Sequence, residues 1–163
     1  MSSGRNKQGG LLILVSIMVA MMLTIMPLPD VLQHLRPEWA ALVLMYWSMA
    51  LPERIGMGVA FIVGLLLDVL SGSLLGQHAL CMTIIIFLIT NLYQRIRIFP
   101  LWQQAIIIWM LLNLYQLLLL WFDGITGQAS KGLQFWLPPI SGMILWPWIF
   151  ILLRHLRRYY KVR

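Results

Sequence analysis

The sequence is short of charge. Of its 163 residues only 10% are Asp, Glu, Lys or Arg, and only five are acidic. A soluble domain of this length would carry roughly a quarter charged residues. With 61% hydrophobic residues and a mean hydropathy of +0.84, the chain lacks the polar surface a water-soluble globule needs. Cysteine is nearly absent too. Cys81 is the single one, so no intrachain disulfide can form, and among Leu80, Met82 and Ile84 it reads as a small packing residue. His34, His78 and His155 are scattered without ligand spacing, which gives no metal site. There is no Ser–His–Asp order, no glycine-rich nucleotide loop and no HExxH. These absences exclude a soluble enzyme of any familiar motif class and imply no cofactor.

What is present is a series of apolar runs. A spanning helix needs about 20 mostly apolar residues. Six runs qualify or nearly do: residues 11–28, 37–51, 55–70, 74–93, 101–122 and 135–153. The expected fold is therefore all-α and integral to a membrane, with six transmembrane helices forming one polytopic domain over residues 1–163. The opening "MSSGRNKQGG" has the basic-then-apolar order of a signal peptide. The following run is long, however, and ends in "MPLPD" without a small-x-small cleavage pattern, so it reads as a retained first span. The second run is short, and its flanks Arg36 and Arg54 would have to snorkel or the bilayer to thin. Pro147 in the last run should kink it, whereas Pro138 and Pro139 interrupt or cap it.

The net charge of +7 would suggest nucleic acid in a soluble protein. Here the cations stand at the ends of apolar runs, which points to the membrane surface and to anionic lipids, with no nucleic acid as partner. Six spans divide the twelve Lys and Arg residues unequally. Arg5, Lys7, Arg54, Arg95, Arg97, Arg154, Arg157, Arg158, Lys161 and Arg163 fall on one side, and only Arg36 and Lys131 on the other. The positive-inside rule then places both the short N-terminus (residues 1–10) and the basic tail (residues 154–163) in the cytoplasm. Aromatic residues flank the same segments: Trp121, Phe122, Phe135 and Trp136 around one loop, Tyr93 and Trp102 around another.

One acid sits inside a greasy run. In "GLLLDVLSGSLLGQ", residues 64–77, Asp68 lies near the end of the third span, with Ser71 and Gly72 marking a helix terminus. A charged Asp at a helix centre costs about 2.5–3.5 kcal/mol, less near the interface. A lone carboxylate is poor evidence for acid–base chemistry. The expected role is structural: Asp68 should accept hydrogen bonds from groups of residues 71–73 or from Arg36. Gly72 and Gly76 have the spacing of a helix-contact pair, but a tight turn explains them better. Arg36 is expected to pair with Asp30, Glu38 or Asp68, in a stretch "HLRPEW" that reads as a proline-started helix with Glu38 in its first turn. Asn91, Asn113 and Gln116 are candidate interhelical links. The acids Asp30, Glu38, Asp68 and Asp123 share the outer side, and their convergence would be the one route to an intramembrane enzyme.

These pieces, "MPLPD", "RPEW…YW…ALPERIG", "LLLDVLSGSLLG", "LWQQA" and "LWPWIFILLRHLRR", resemble in order and spacing the rod shape-determining protein MreD family. The resemblance runs over almost the whole chain. It implies a multi-pass protein of the bacterial inner (cytoplasmic) membrane that is not an enzyme. Its implied role is to scaffold or regulate the cell-elongation complex, supporting MreC-dependent peptidoglycan synthesis and rod shape. The implied partners are MreC and, directly or through it, MreB and the RodA–class B penicillin-binding protein pair. Association with a second copy of the chain is left open. The implied architecture is similar to the substrate-binding components of energy-coupling-factor transporters, so a vitamin-type transporter subunit is the alternative. The family supplies no catalytic residues. The matched positions Arg36, Pro37, Trp39, Pro52, Asp68, Ser71, Gly72 and Gly76 are expected to serve the fold or partner contact.

Overall fold

The computed structural model describes residues 3–127 and 132–161. Lys131 and Arg163, counted above among the cations, lie outside them. Every regular element among the described residues is helical: α1 (Ser3–Ile25), α2 (Asp30–Gln33), α3 (Trp39–Ala50), α4 (Met57–Ser71), α5 (Gln77–Ile96), α6 (Leu101–Ile125) and α7 (Leu137–Tyr159), the last preceded by a 3-10 turn (Leu133–Trp136).

Four stretches are long and apolar enough to cross a bilayer: Lys7–Ile25, Gln77–Ile96, Leu101–Ile125 and Leu133–Tyr159. The other two expected spans are shorter helices, Trp39–Ala50 and Met57–Ser71. At 1.5 Å per residue α3 is only about 18 Å long. Its position accounts for this. Every residue from Ala40 to Met49 is buried, because α3 is the centre of the bundle, packed against α1, α5 and α7. A helix apolar on all sides belongs in such an interior. Enclosed by protein, its non-helical flanks need not face lipid, where unpaired backbone is not tolerated.

Apart from a light contact of α1 with α4, the remaining packing is between consecutive helices: α4 on α5, α5 on α6, α6 on α7. Small residues set the closest approaches. A Cβ built on Gly64 of α4 would lie 2.3 Å from the Ala79 Cα of α5. On Gly142 of α7 it would lie 2.5 Å from Leu112 Cδ1 of α6. Trp47 Nε1 of α3 donates to Ser16 Oγ of α1 at 2.9 Å, and Ser16 Oγ to the Ile13 carbonyl.

Some expected boundaries shift. The helix does not start at Pro37: Pro37 and Glu38 precede α3, and Glu38 is its N-cap residue, its carbonyl accepting from Leu42 N at 3.0 Å. α5 begins at Gln77 rather than 74, since Gly76 is left-handed at φ +97°. α7 continues through Pro147 and on to Tyr159, so most of the basic tail is helical. Pro138 and Pro139 stand in its first turn, where a missing N–H costs nothing.

Candidate functional site

Antiparallel connection brings the ends of α1, α4 and α6 to the same pole of the bundle as the starts of α3, α5 and α7. The polar residues gather there. Asp68, on the last turn of α4, is 1% exposed. Its carboxylate faces the start of α5. Oδ1 accepts from Ser73 Oγ at 2.8 Å and from the His78 backbone N–H at 2.9 Å. Oδ2 accepts from the Gly76 N–H at 2.9 Å and from the Ala79 N–H at 3.4 Å. His78 Nδ1 lies 2.7 Å from Oδ1.

The local sequence explains this geometry. Gly72, at φ +69°, ends α4 in the left-handed conformation that glycine adopts at little cost. Gly76 repeats it before α5, and the two bends turn the chain back over Asp68. No side chain within α5's own N-cap supplies a cap. Asp68 takes that role from the neighbouring helix, satisfying orphan N–H donors at a helix N-terminus, where the helix dipole also favours negative charge. Ser71 Oγ donates to the Leu67 carbonyl at 2.6 Å and lies 3.2 Å from Ser73 Oγ. A buried carboxylate meeting this many donors is tolerable at membrane depth.

A second acid serves the same helix start. Gln77 Nε2 donates to Asp123 Oδ1 at 3.0 Å, tying the first residue of α5 to the end of α6, and both residues are buried. On the other side, Arg36 Nη1 donates to the Thr24 carbonyl at 2.7 Å and Nη2 to that of Met26. Arg36 thus completes the C-terminal end of α1, where a cation suits both the open carbonyls and the dipole. It is not the partner of Asp68, contrary to one sequence expectation; Asp68 draws its donors from residues 73–79.

Between these groups lie two cavities, of about 320 and 460 Å³, both lined by Arg36, Glu38 and His78. Gln116, whose Oε1 is buried without a partner, lines the larger one. Three of the four acids expected to share one side, Glu38, Asp68 and Asp123, therefore collect around the start of α5. Asp30 stays apart, at the start of α2. Among the described residues no group of three His, Cys, Asp or Glu side chains could hold a metal.

The structure separates the matched positions. Arg36, Asp68, Ser71, Gly72 and Gly76 share this pole. Pro37 is buried and Trp39 half-buried at the entry to α3. Pro52 is at the far pole, in the turn where Arg54 and Ile55 N–H groups donate to Leu51. Asn113 donates to the Trp109 carbonyl of its own helix and is no interhelical link, and Asn91 is exposed. Sequence reasoning set aside His78 because the three histidines show no metal-ligand spacing, and it did not connect His78 to Asp68. The available signal was its place just after a glycine at a helix start.

Apolar helices around a fully buried central one, with a polar hub at one pole whose side chains complete helix ends, define a class: a helical integral membrane protein. A family model described as rod shape-determining protein MreD matches residues 5–156. The chain belongs to this family. It is 33% identical over 144 residues to the rod shape-determining protein MreD of Haemophilus influenzae, an alignment covering 88% of this chain and 89% of that protein. No solved structure matches. The comparisons give no support to the transporter-subunit alternative.

Proposed function

We propose that this protein is a non-catalytic scaffold or regulator of a bacterial cell-elongation complex, acting with MreC to support peptidoglycan synthesis and rod shape. The observation that carries the reading is family membership along residues 5–156. The site agrees with it. Asp68 is engaged by side-chain and backbone donors on both oxygens, so it holds the α4–α5 connection in shape rather than waiting for a substrate proton. The partners follow from the family: MreC directly, MreB and the RodA–penicillin-binding protein pair directly or through MreC.

The proposed topology has six spans in the inner membrane, with α3 and α4 as short spans and both termini cytoplasmic. Lys7, Arg54, Arg95, Arg97, Arg154, Arg157, Arg158 and Lys161 support it, since all lie at the pole opposite Asp68 or on helix segments leading there. A bundle similar to the energy-coupling-factor substrate-binding components is the proposed architecture.

The test is depletion in a rod-shaped host together with site-specific photocrosslinking. Depleted cells should round, plasmid-borne protein should restore rods, and crosslinkers on the exposed helix faces should capture MreC. Normal rod growth without the protein would overturn the reading.

A further inference from the structure

The pole opposite Asp68 holds a cavity that the shape-determining reading does not use. Its volume is about 200 Å³, far above the ~10–15 Å³ that one water needs. Four helices build its wall. α3 contributes Tyr46, Met49 and Ala50; the end of α5 contributes Arg97; α6 contributes Gln104; α7 contributes Phe150, Arg154 and Arg157. The α7 residues follow a spacing of i, i+4 and i+7, which is one helix face.

Three arginines, Arg97 and Arg154 exposed and Arg157 half-buried, thus line one concavity. None of them is in an ion pair among the described residues. Among the described residues no carboxylate lines the cavity. Positive-inside bias puts arginines at helix ends, but it does not require three of them from two helices to face one hollow. Like charges drawn together this way repel until an anion joins them. Guanidinium groups suit phosphoryl oxygens, which their fork of N–H donors meets two at a time.

Gln104 adds a second requirement. It is 3% exposed. Its Nε2 is committed to the Ile96 and Phe99 carbonyls at 3.0 and 3.1 Å, which fixes the side chain and caps the end of α5. Its Oε1 is buried and has no partner among the described residues. A buried acceptor without a donor costs free energy that a ligand hydroxyl would recover. Phe150 and Met49 give the wall an apolar part.

We propose that this cavity is a binding site for the phosphoryl headgroup of an anionic lipid of the adjacent leaflet, of the phosphoglycerol type. The phosphate meets Arg97, Arg154 and Arg157, and a glycerol hydroxyl donates to Gln104 Oε1. Basic pockets between transmembrane helices bind such headgroups. The proposal rests on the membrane class of the fold and is independent of the role in cell shape.

The test uses the full-length protein in neutral detergent, with native mass spectrometry and thermal unfolding. Phosphatidylglycerol should be retained as one tightly held molecule under activation that strips phosphatidylcholine, and should raise the unfolding temperature. The pair Arg97→Gln with Arg154→Gln should lower retention at least fivefold. The pair Arg54→Gln with Arg95→Gln, of equal charge change and outside the cavity wall, should stay within twofold. Ala50→Asp removes no arginine and places a carboxylate among them; it should lower retention as much, and it decides the matter if the first pair does not fold. Inorganic phosphate at millimolar concentration should give no shift. Equal loss in both arginine pairs would mean diffuse attraction and would overturn the site. So would unchanged retention in Ala50→Asp, or equal retention of phosphatidylcholine. A full shift with inorganic phosphate would overturn the lipid as the source of the anion.

Discussion

Asp68 acts on α5 through both carboxylate oxygens, and this sets how each substitution should behave. Asparagine keeps the shape but turns one acceptor into a donor. That –NH₂ must face either the Gly76 and Ala79 N–H groups or Ser73 and His78. At least one backbone donor is then left unmatched, at about 1–3 kcal/mol each. Leucine leaves all of these groups unmatched. Melting temperature in detergent and protein level in cells should therefore fall in the order wild type, Asp68→Asn, Asp68→Leu. A leucine variant as stable as wild type would sink the capping role. Equal loss of rod shape in both variants at normal abundance would instead point to the charge itself. His78 tests the same hub from the other side. His78→Asn can retain a donor near the Nδ1 position and should be milder than His78→Leu, by the same melting assay. A residue-level reading of sequence could find Asp68, since a buried acid in an apolar run is anomalous. It could not find His78 or Gln77, whose importance comes only from which groups the turn brings near.

At the scale of elements, the two close-approach glycines differ in what they meet. A methyl on Gly64 runs into the Ala79 backbone, which cannot move without shifting α5. A methyl on Gly142 meets the far end of the Leu112 side chain, which can change rotamer. Gly64→Ala should cost about 1–3 kcal/mol as an overpacked contact, and Gly142→Ala clearly less, measured as paired thermal shifts. Equal shifts would mean that the α4–α5 contact is not as tight as drawn. The sequence reading located the apolar helices, because apolar runs bounded by Pro, Gly and charge are local signals, but it began the first at residue 11 where α1 starts at Ser3 and did not expect α2. It extended the third helix start to Pro37 and the fifth to residue 74, because the boundary there depends on backbone conformation. Gly76 can take φ +97°, but whether it does is decided by the Asp68 carboxylate waiting on the other side of the turn.

For the whole molecule, charge distribution predicts orientation. A reporter active only in the periplasm, fused after Arg163, should be silent, and one placed in the loop between α6 and α7 should be active. The reverse pattern would overturn the topology and with it the side assigned to Asp68.

Composition and the spacing of apolar runs determined that this chain is an all-helical membrane protein, since lipid admits few ways to satisfy a backbone. The order of its short motifs determined the family. Tertiary structure decided the rest. It made α3 the buried centre, a role its hydrophobicity allows but does not specify, because a lipid-facing helix looks the same in sequence. It gave Arg36 to the carbonyls of α1 and Asp68 to the N–H groups of α5, because an unpaired helix end near the membrane must take whichever polar side chain the packing delivers. It also drew Arg97, Arg154 and Arg157 into one cavity. Sequence counts those arginines only as topological charge, since residues 57 positions apart meet only when α5 and α7 share a pole.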